Sequence, residues 1–146
     1  MKLDLDQKIA MLEADRGRVR QILNNLVTNA LEALDGVAGP RLEIGTHFEQ
    51  GADAAYAIVT VCDNGPGFQR ELLSRVFDPY VTSKPKGTGL GLAIVKKIVE
   101  EHGGRIDADN RPEGGARVRV VLPMKDSTRT ASSTRERRGE LRRERA

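Results

Sequence analysis

Apolar positions recur at helical spacing after Asp15, where Val19, Ile22, Leu23, Leu26, Val27, Ala30, Leu31 and Leu34 form one stripe that Gly36 and Gly39-Pro40 end. This predicts a long amphipathic helix. The period then changes to two. Leu42, Ile44, Thr46 and Phe48 alternate with Arg41, Glu43, Gly45 and His47, and a second β-branched run, Ala55 to Cys62, ends at Asp63. The two strands are expected to form a hairpin joined near Gln50 to Asp53. Residues 64–90 are rich in glycine and proline, with little periodicity beyond a short helix expected over Arg70 to Val76. An irregular segment of that length inside a compact domain is usually functional. Leu90, Leu92, Ala93, Val95, Ile98 and Val99 predict a second helix, closed by His102-Gly103-Gly104, with Lys96 and Lys97 on its outer side. Further strands are expected over 105–109 and 116–122, ahead of Pro123, and the first residues, through Leu12, carry a weak pattern compatible with an edge strand. Helices on one face of a mixed, mostly antiparallel sheet make an α+β fold, a two-layer α/β sandwich.

Composition adds boundaries. A chain of 146 residues suffices for one domain with a real core. No run approaches the roughly 18 apolar residues of a membrane span, and the opening Met-Lys-Leu-Asp-Leu-Asp lacks an apolar signal core, so a soluble, cytoplasmic chain is expected. Cys62 is the only cysteine, which excludes an intramolecular disulfide and a cysteine-based metal cluster and suggests a small buried thiol. The net charge of +3 is unevenly placed: from Lys125 onward there are eight Lys or Arg against four Asp or Glu, which leaves residues 1–124 at −1. Residues 1–124 are therefore expected to form the domain. Residues 125–146 read as a basic, disordered tail, too poor in apolar side chains to offset its ordering entropy, and no nucleic-acid partner is expected.

Three motifs carry the candidate chemistry. Asn25 and Asn29 lie four apart on the first helix and so share a face, where an amide oxygen can serve Mg²⁺ together with phosphate oxygens and water. Taken alone, they read equally well as solvated positions of an amphipathic helix. Asp63-Asn64-Gly65 also spells a hairpin turn, but no returning strand follows. A carboxylate at a strand end, followed by Gly65 and Gly67, suits recognition of an exocyclic amine such as that of adenine. Gly87, Gly89 and Gly91, interleaved with Thr88, Leu90 and Leu92, open the second helix, whose first amides and positive dipole end favour phosphate. The spacing is not the dinucleotide fingerprint, and no Gly-Lys dipeptide provides a P-loop lysine. Lys84 and Lys86, just before the glycines, are candidates to reach phosphates from a mobile lid, although a lone pair of loop lysines is more often merely solvated. His47 and His102 offer no catalytic constellation.

As a set, these segments resemble the boxes of sensor histidine kinase catalytic domains: DRGRVRQILNNLVTNALEAL the N box, DNGPGF the first glycine box, FDPYVTSK the F box, GTGLGLAIVKKIVEEHGG the second glycine box and EGGARVRVVLP the closing strand. Order and spacing match over about residues 15–123, and the wording is most similar to nitrogen-regulation sensor kinases of the NtrY type. The resemblance implies the Bergerat ATP-binding fold shared with gyrase, Hsp90 and MutL. It implies Asn29 as ligand of Mg²⁺, Asn25 near the phosphates, Asp63 on the adenine amine, Gly65 and Gly67 lining the base, and Gly87, Gly89 and Gly91 at the phosphates. Roughly Phe68 to Thr88 would form a lid, with Asn25 and Lys84 as catalytic side chains. It also implies transfer of the γ-phosphate to a histidine on a separate dimerisation domain, and a response regulator further on. Departures are Glu32 and Ala33, where many relatives carry a basic residue and an aromatic, and Ala116, where a Thr is frequent. Asn25 stands where ATP-hydrolysing relatives have a Glu, and an amide cannot act as that base, so transfer is favoured over hydrolysis. Neither histidine has the setting of a phosphoacceptor. The alternatives are a nucleotide-binding regulatory module without transfer activity and an anti-sigma-type serine kinase on the same fold.

Overall fold

The computed structural model describes residues 1–4, 16–82 and 87–124. Five strands form one sheet in the order β1-β2-β3-β5-β4, with β1 (Lys2–Asp4), β2 (Leu42–Gln50), β3 (Ala55–Asp63), β4 (Arg105–Asn110) and β5 (Ala116–Met124). β1 runs parallel to β2, and the other three pairings are antiparallel. The hairpin turns where the Gly51 amide donates to the Ala54 carbonyl at 2.8 Å.

Helices α1 (Arg16–Ala33) and α2 (Gly91–Glu101) cover one face of this sheet. α1 sends Ile22, Leu26 and Ala30 inward, joined by Leu34 just past its end, and α2 sends Val95, Ile98 and Val99, so the spacing of three and four becomes one packed seam. Opposite them stand Leu42, Val61, Val118, Val120 and Leu122. Each fully buried aliphatic side chain here contributes about 1.5–3 kcal/mol relative to exposure. α2 ends as its sequence foretells. Gly103, at φ +72°, lets its own amide reach the Glu100 carbonyl at 3.0 Å and the Gly104 amide reach Val99 at 2.9 Å. The His102 Nδ1 lies 2.7 Å from the Ile98 carbonyl and donates to it.

On the other face of the sheet no helix lies among the described residues. There Arg117 pairs with Asp109, and Arg119 with Asp107 at 3.0 Å, across β5 and β4. These pairs are about half exposed and contribute at most ~1 kcal/mol each.

The two-layer α+β sandwich expected from the periodicity is the architecture found. The differences are local. The helix expected over Arg70 to Val76 is only a 3-10 turn, Leu73–Arg75, within a series of i to i+3 bonds from Gln69 onward. So few residues cannot repay the cost of a helical nucleus. The edge strand expected through Leu12 is described for Lys2–Asp4 alone, because residues 5–15 lie outside the described residues, as do residues 125–146.

Candidate functional site

β3 delivers Asp63 to the end of the sheet, where it is 4% exposed and is the one buried charged residue among those described. A carboxylate is tolerated there because it is hydrogen-bonded. Its Oδ1 accepts from the Gly65 amide at 2.9 Å and from the Ala116 amide of β5 at 3.3 Å. The carboxylate lines a cavity of about 310 Å³ walled by Ala33, Gly67, Phe68, Val76, Val81, Leu92 and Ala116, with Asn29 and Glu32 from α1. A second cavity, of about 250 Å³, shares Asn29, Glu32, Val76, Val81, Thr82 and Leu92 with the first and adds Asn25, Thr28, Gly87, Thr88, Gly89 and Gly91. The two are one cleft, with a buried acid at one end and the start of α2 at the other.

That far end is suited to an anion. α2 begins without a side-chain cap and without an acidic residue in its first turn, and Gly91 at its start lines the cleft, so the positive end of the helix dipole lies at this end. Thr88 Oγ1 instead accepts from the Leu90 amide at 3.3 Å, which fixes the approach of the chain to the helix. Gly89, at φ +72°, lies against the backbone of Tyr80, where an added Cβ would come within 2.6 Å of the Tyr80 carbonyl carbon. The Tyr80 amide donates to the Gly89 carbonyl at 3.0 Å, and Tyr80 itself adopts φ +66°, a conformation that costs a non-glycine residue energy. Tyr80 is the one non-glycine residue with positive φ among those described.

The loop after Asp63 is anchored on both sides. The Asn64 side chain accepts from the Arg41 amide at 2.6 Å and donates to the Gly39 carbonyl at 3.0 Å. The Asn110 side chain, at the end of β4, accepts from the Phe68 amide at 2.7 Å and donates to the Phe68 carbonyl at 2.9 Å. Arg111 reaches the Asp63 carbonyl at 3.3 Å while its other nitrogen pairs with Glu113 at 2.7 Å. The hydrogen bond to Glu113 holds the Arg111 guanidinium above its ordinary pKa. Gly115, at φ +94°, lies so close to the Asp63 carbonyl that no Cβ fits. Cys62, next to Asp63, is a partly buried thiol whose pKa is pushed up by burial, as expected of an inert thiol.

Of the residues singled out from the sequence, Asn25, Asn29, Asp63, Gly67, Gly87, Thr88, Gly89, Gly91 and Leu92 all line the cleft. Gly65 and Leu90 are not among the lining residues: an added Cβ at Gly65 would meet the Ala33 carbonyl at 2.7 Å, and Leu90 forms the N-cap of α2. Lys84 and Lys86 lie outside the described residues. Asn110 and Arg111 carry no local signal in the sequence, and Asn64 reads there only as part of a turn. Asn64 sits inside a recognised motif, but its partners are 23 and 25 positions away, and those of Asn110 are 42 away. Among the described residues no three His, Cys, Asp or Glu side chains are grouped to hold a metal, and no helix is long and apolar enough to cross a membrane.

Residues 14–126 match the family described as histidine kinase-, DNA gyrase B- and HSP90-like ATPase, and the chain belongs to that family. Within it the chain is of the sensor histidine kinase type. It is 43% identical over 114 residues to nitrogen regulation protein NtrY of Azorhizobium caulinodans, an alignment covering 74% of this chain and 14% of that protein. The chain thus spans a small part of the curated relatives it matches. Among solved structures, the nucleotide-free catalytic domain of histidine kinase ThkA is 35% identical with a TM-score of 0.70, covering 84% of this chain and 76% of that one. Full-length ShkA in complex with AMPPNP is 25% identical with a TM-score of 0.69, covering 86% of this chain and 26% of that one.

Proposed function

We propose that the cleft binds Mg-ATP and presents the γ-phosphate to a histidine on a separate dimerisation domain. The observation that carries this reading is the continuity of the cleft from the buried Asp63 carboxylate to the asparagine and glycine walls at α2. A cavity pair of this size lies in the usual range for a small ligand. The 6-amino group of adenine donates to the Asp63 carboxylate, while Ala33, Phe68 and Leu92 supply apolar walls for the ring. Asn29 offers an amide oxygen to Mg²⁺, an ion that keeps several waters and takes its remaining ligands from phosphates. Asn25 and the amides of the second glycine box hold the phosphates, with Lys84 and Lys86 as added cations.

Bound Mg-ATP supplies the transferable phosphoryl group and the neutralising charge; the chain supplies position. The acceptor imidazole nitrogen forms the new N–P bond, the bond to the bridging oxygen breaks, and its electron pair leaves with ADP. Asn25, an amide, does not activate water, which favours transfer over hydrolysis. The similarity to NtrY and to ShkA, the latter solved with an ATP analogue, supports the same reading. In this reading residues 1–124 are the nucleotide-binding unit and residues 125–146 a basic tail outside it. The unit serves two-component signalling in the cytoplasm, with a response regulator receiving the phosphoryl group downstream.

Mixing the chain with γ-labelled ATP, Mg²⁺ and a separately made dimerisation domain tests the proposal. Acid-labile label on the acceptor histidine is the expected result. Nucleotide binding without any label would reduce the chain to a regulatory binding module, and acid-stable label on a partner serine would point to a serine kinase.

A further inference from the structure

We propose that Asn110 is a positioning residue that sets the purine selectivity of the cleft, an inference that rests on the nucleotide reading above. Asn110 does not line the cleft. Its primary amide nevertheless holds both polar groups of the Phe68 main chain, accepting from the amide at 2.7 Å and donating to the carbonyl at 2.9 Å. A side-chain amide carries a donor and an acceptor side by side, so here it replaces the missing partner of a β-ladder and extends β4 by one rung onto the loop. Only one orientation of the amide satisfies both bonds.

Two features make this a determinant of geometry at the base rather than a general tie. Gly67 lies directly on the Asn110 Oδ1, which would stand 2.7 Å from a Cβ at that position, so the loop has no slack on this side. In addition, Asn110 is the register partner of Ala116, whose amide donates to the Asp63 Oδ1. One strand-end pair therefore bears on two residues of the same cavity: Ala116 holds the Asp63 carboxylate, and Asn110 holds the main chain of Phe68. The distance between an acceptor and the wall that presents the donor decides whether an amine is distinguished from a hydrogen.

The test is calorimetry on the whole chain with three ligands in Mg²⁺: ATP, purine riboside 5′-triphosphate, which lacks the 6-amino group, and ADP. The wild type is expected to prefer ATP over the des-amino analogue by about tenfold or more. In Asn110→Ala that preference is expected to fall by roughly three- to tenfold, the worth of a hydrogen bond, while the ATP to ADP ratio stays within about twofold. Asn110→Asp keeps the shape but sets a carboxylate oxygen against the Phe68 carbonyl, and is expected to change the preference in the same direction. Ratios measured on one sample do not depend on its folded fraction, so a destabilised variant still reports. Variants that melt earlier yet keep the wild-type preference for ATP would overturn the inference and leave Asn110 a structural tie. A wild type that binds no adenine nucleotide would instead overturn the nucleotide reading, and this inference with it.

Discussion

Asp63 gives one carboxylate oxygen to the protein itself, through the Gly65 and Ala116 amides. That division fixes the outcome of the isosteric change Asp63→Asn. The new side chain satisfies the two amides best with its oxygen, which turns its NH₂ toward the cleft, where an adenine amine also brings hydrogens. Donor then faces donor. ATP affinity is expected to fall by about tenfold or more in calorimetry with the fold retained by circular dichroism, because a mismatched buried pair costs more than a missing bond. Unchanged ATP affinity in Asp63→Asn would remove the carboxylate from base recognition. Asp63, the asparagine pair and the glycines were legible as belonging together because each motif is local and chemically specific. Asn64, Asn110 and Arg111 were not, since what each does is hold main chain 23 to 48 positions away, and no local pattern encodes that.

At the level of helices and strands, α1, α2 and the β2–β3 hairpin were readable because their stripes are long and end in glycine or proline. The segment after Phe68 looks more helical in sequence than it is, since Leu72, Leu73 and Val76 mimic a helical stripe too short to sustain itself. α1 carries both a core seam and the asparagine face, and the two are separable by mutation. Leu26 is 2% exposed in the centre of the seam. Leu26→Ala is expected to cost ~2–5 kcal/mol, read as a lower midpoint in urea, through the transfer term and the cavity left behind. If that variant melts like the wild type, the seam described here does not hold α1 to the sheet.

For the molecule as a whole, the described walls of the cleft carry Glu32, Asp35 and Asp63 and neither lysine nor arginine. A triphosphate entering such a site needs cations from elsewhere. Chelation with EDTA is accordingly expected to weaken ATP binding by about tenfold or more while leaving adenosine within about twofold, and Asn29→Ala is expected to abolish most of that metal dependence. Equal ATP affinity with and without Mg²⁺ would refute the metal role proposed for Asn29. The order of strands carries a different consequence. β5, the last of the described strands, lies inside the sheet between β3 and β4 and brings the Ala116 amide to Asp63. A ribosome releases this polypeptide from its first residue onward, so until β5 has emerged β3 has an open edge and Asp63 lacks one of its donors. The carboxylate proposed to read the base is therefore completed by a strand made 53 positions after it, and a nascent domain stays blind to nucleotide until β5 is out.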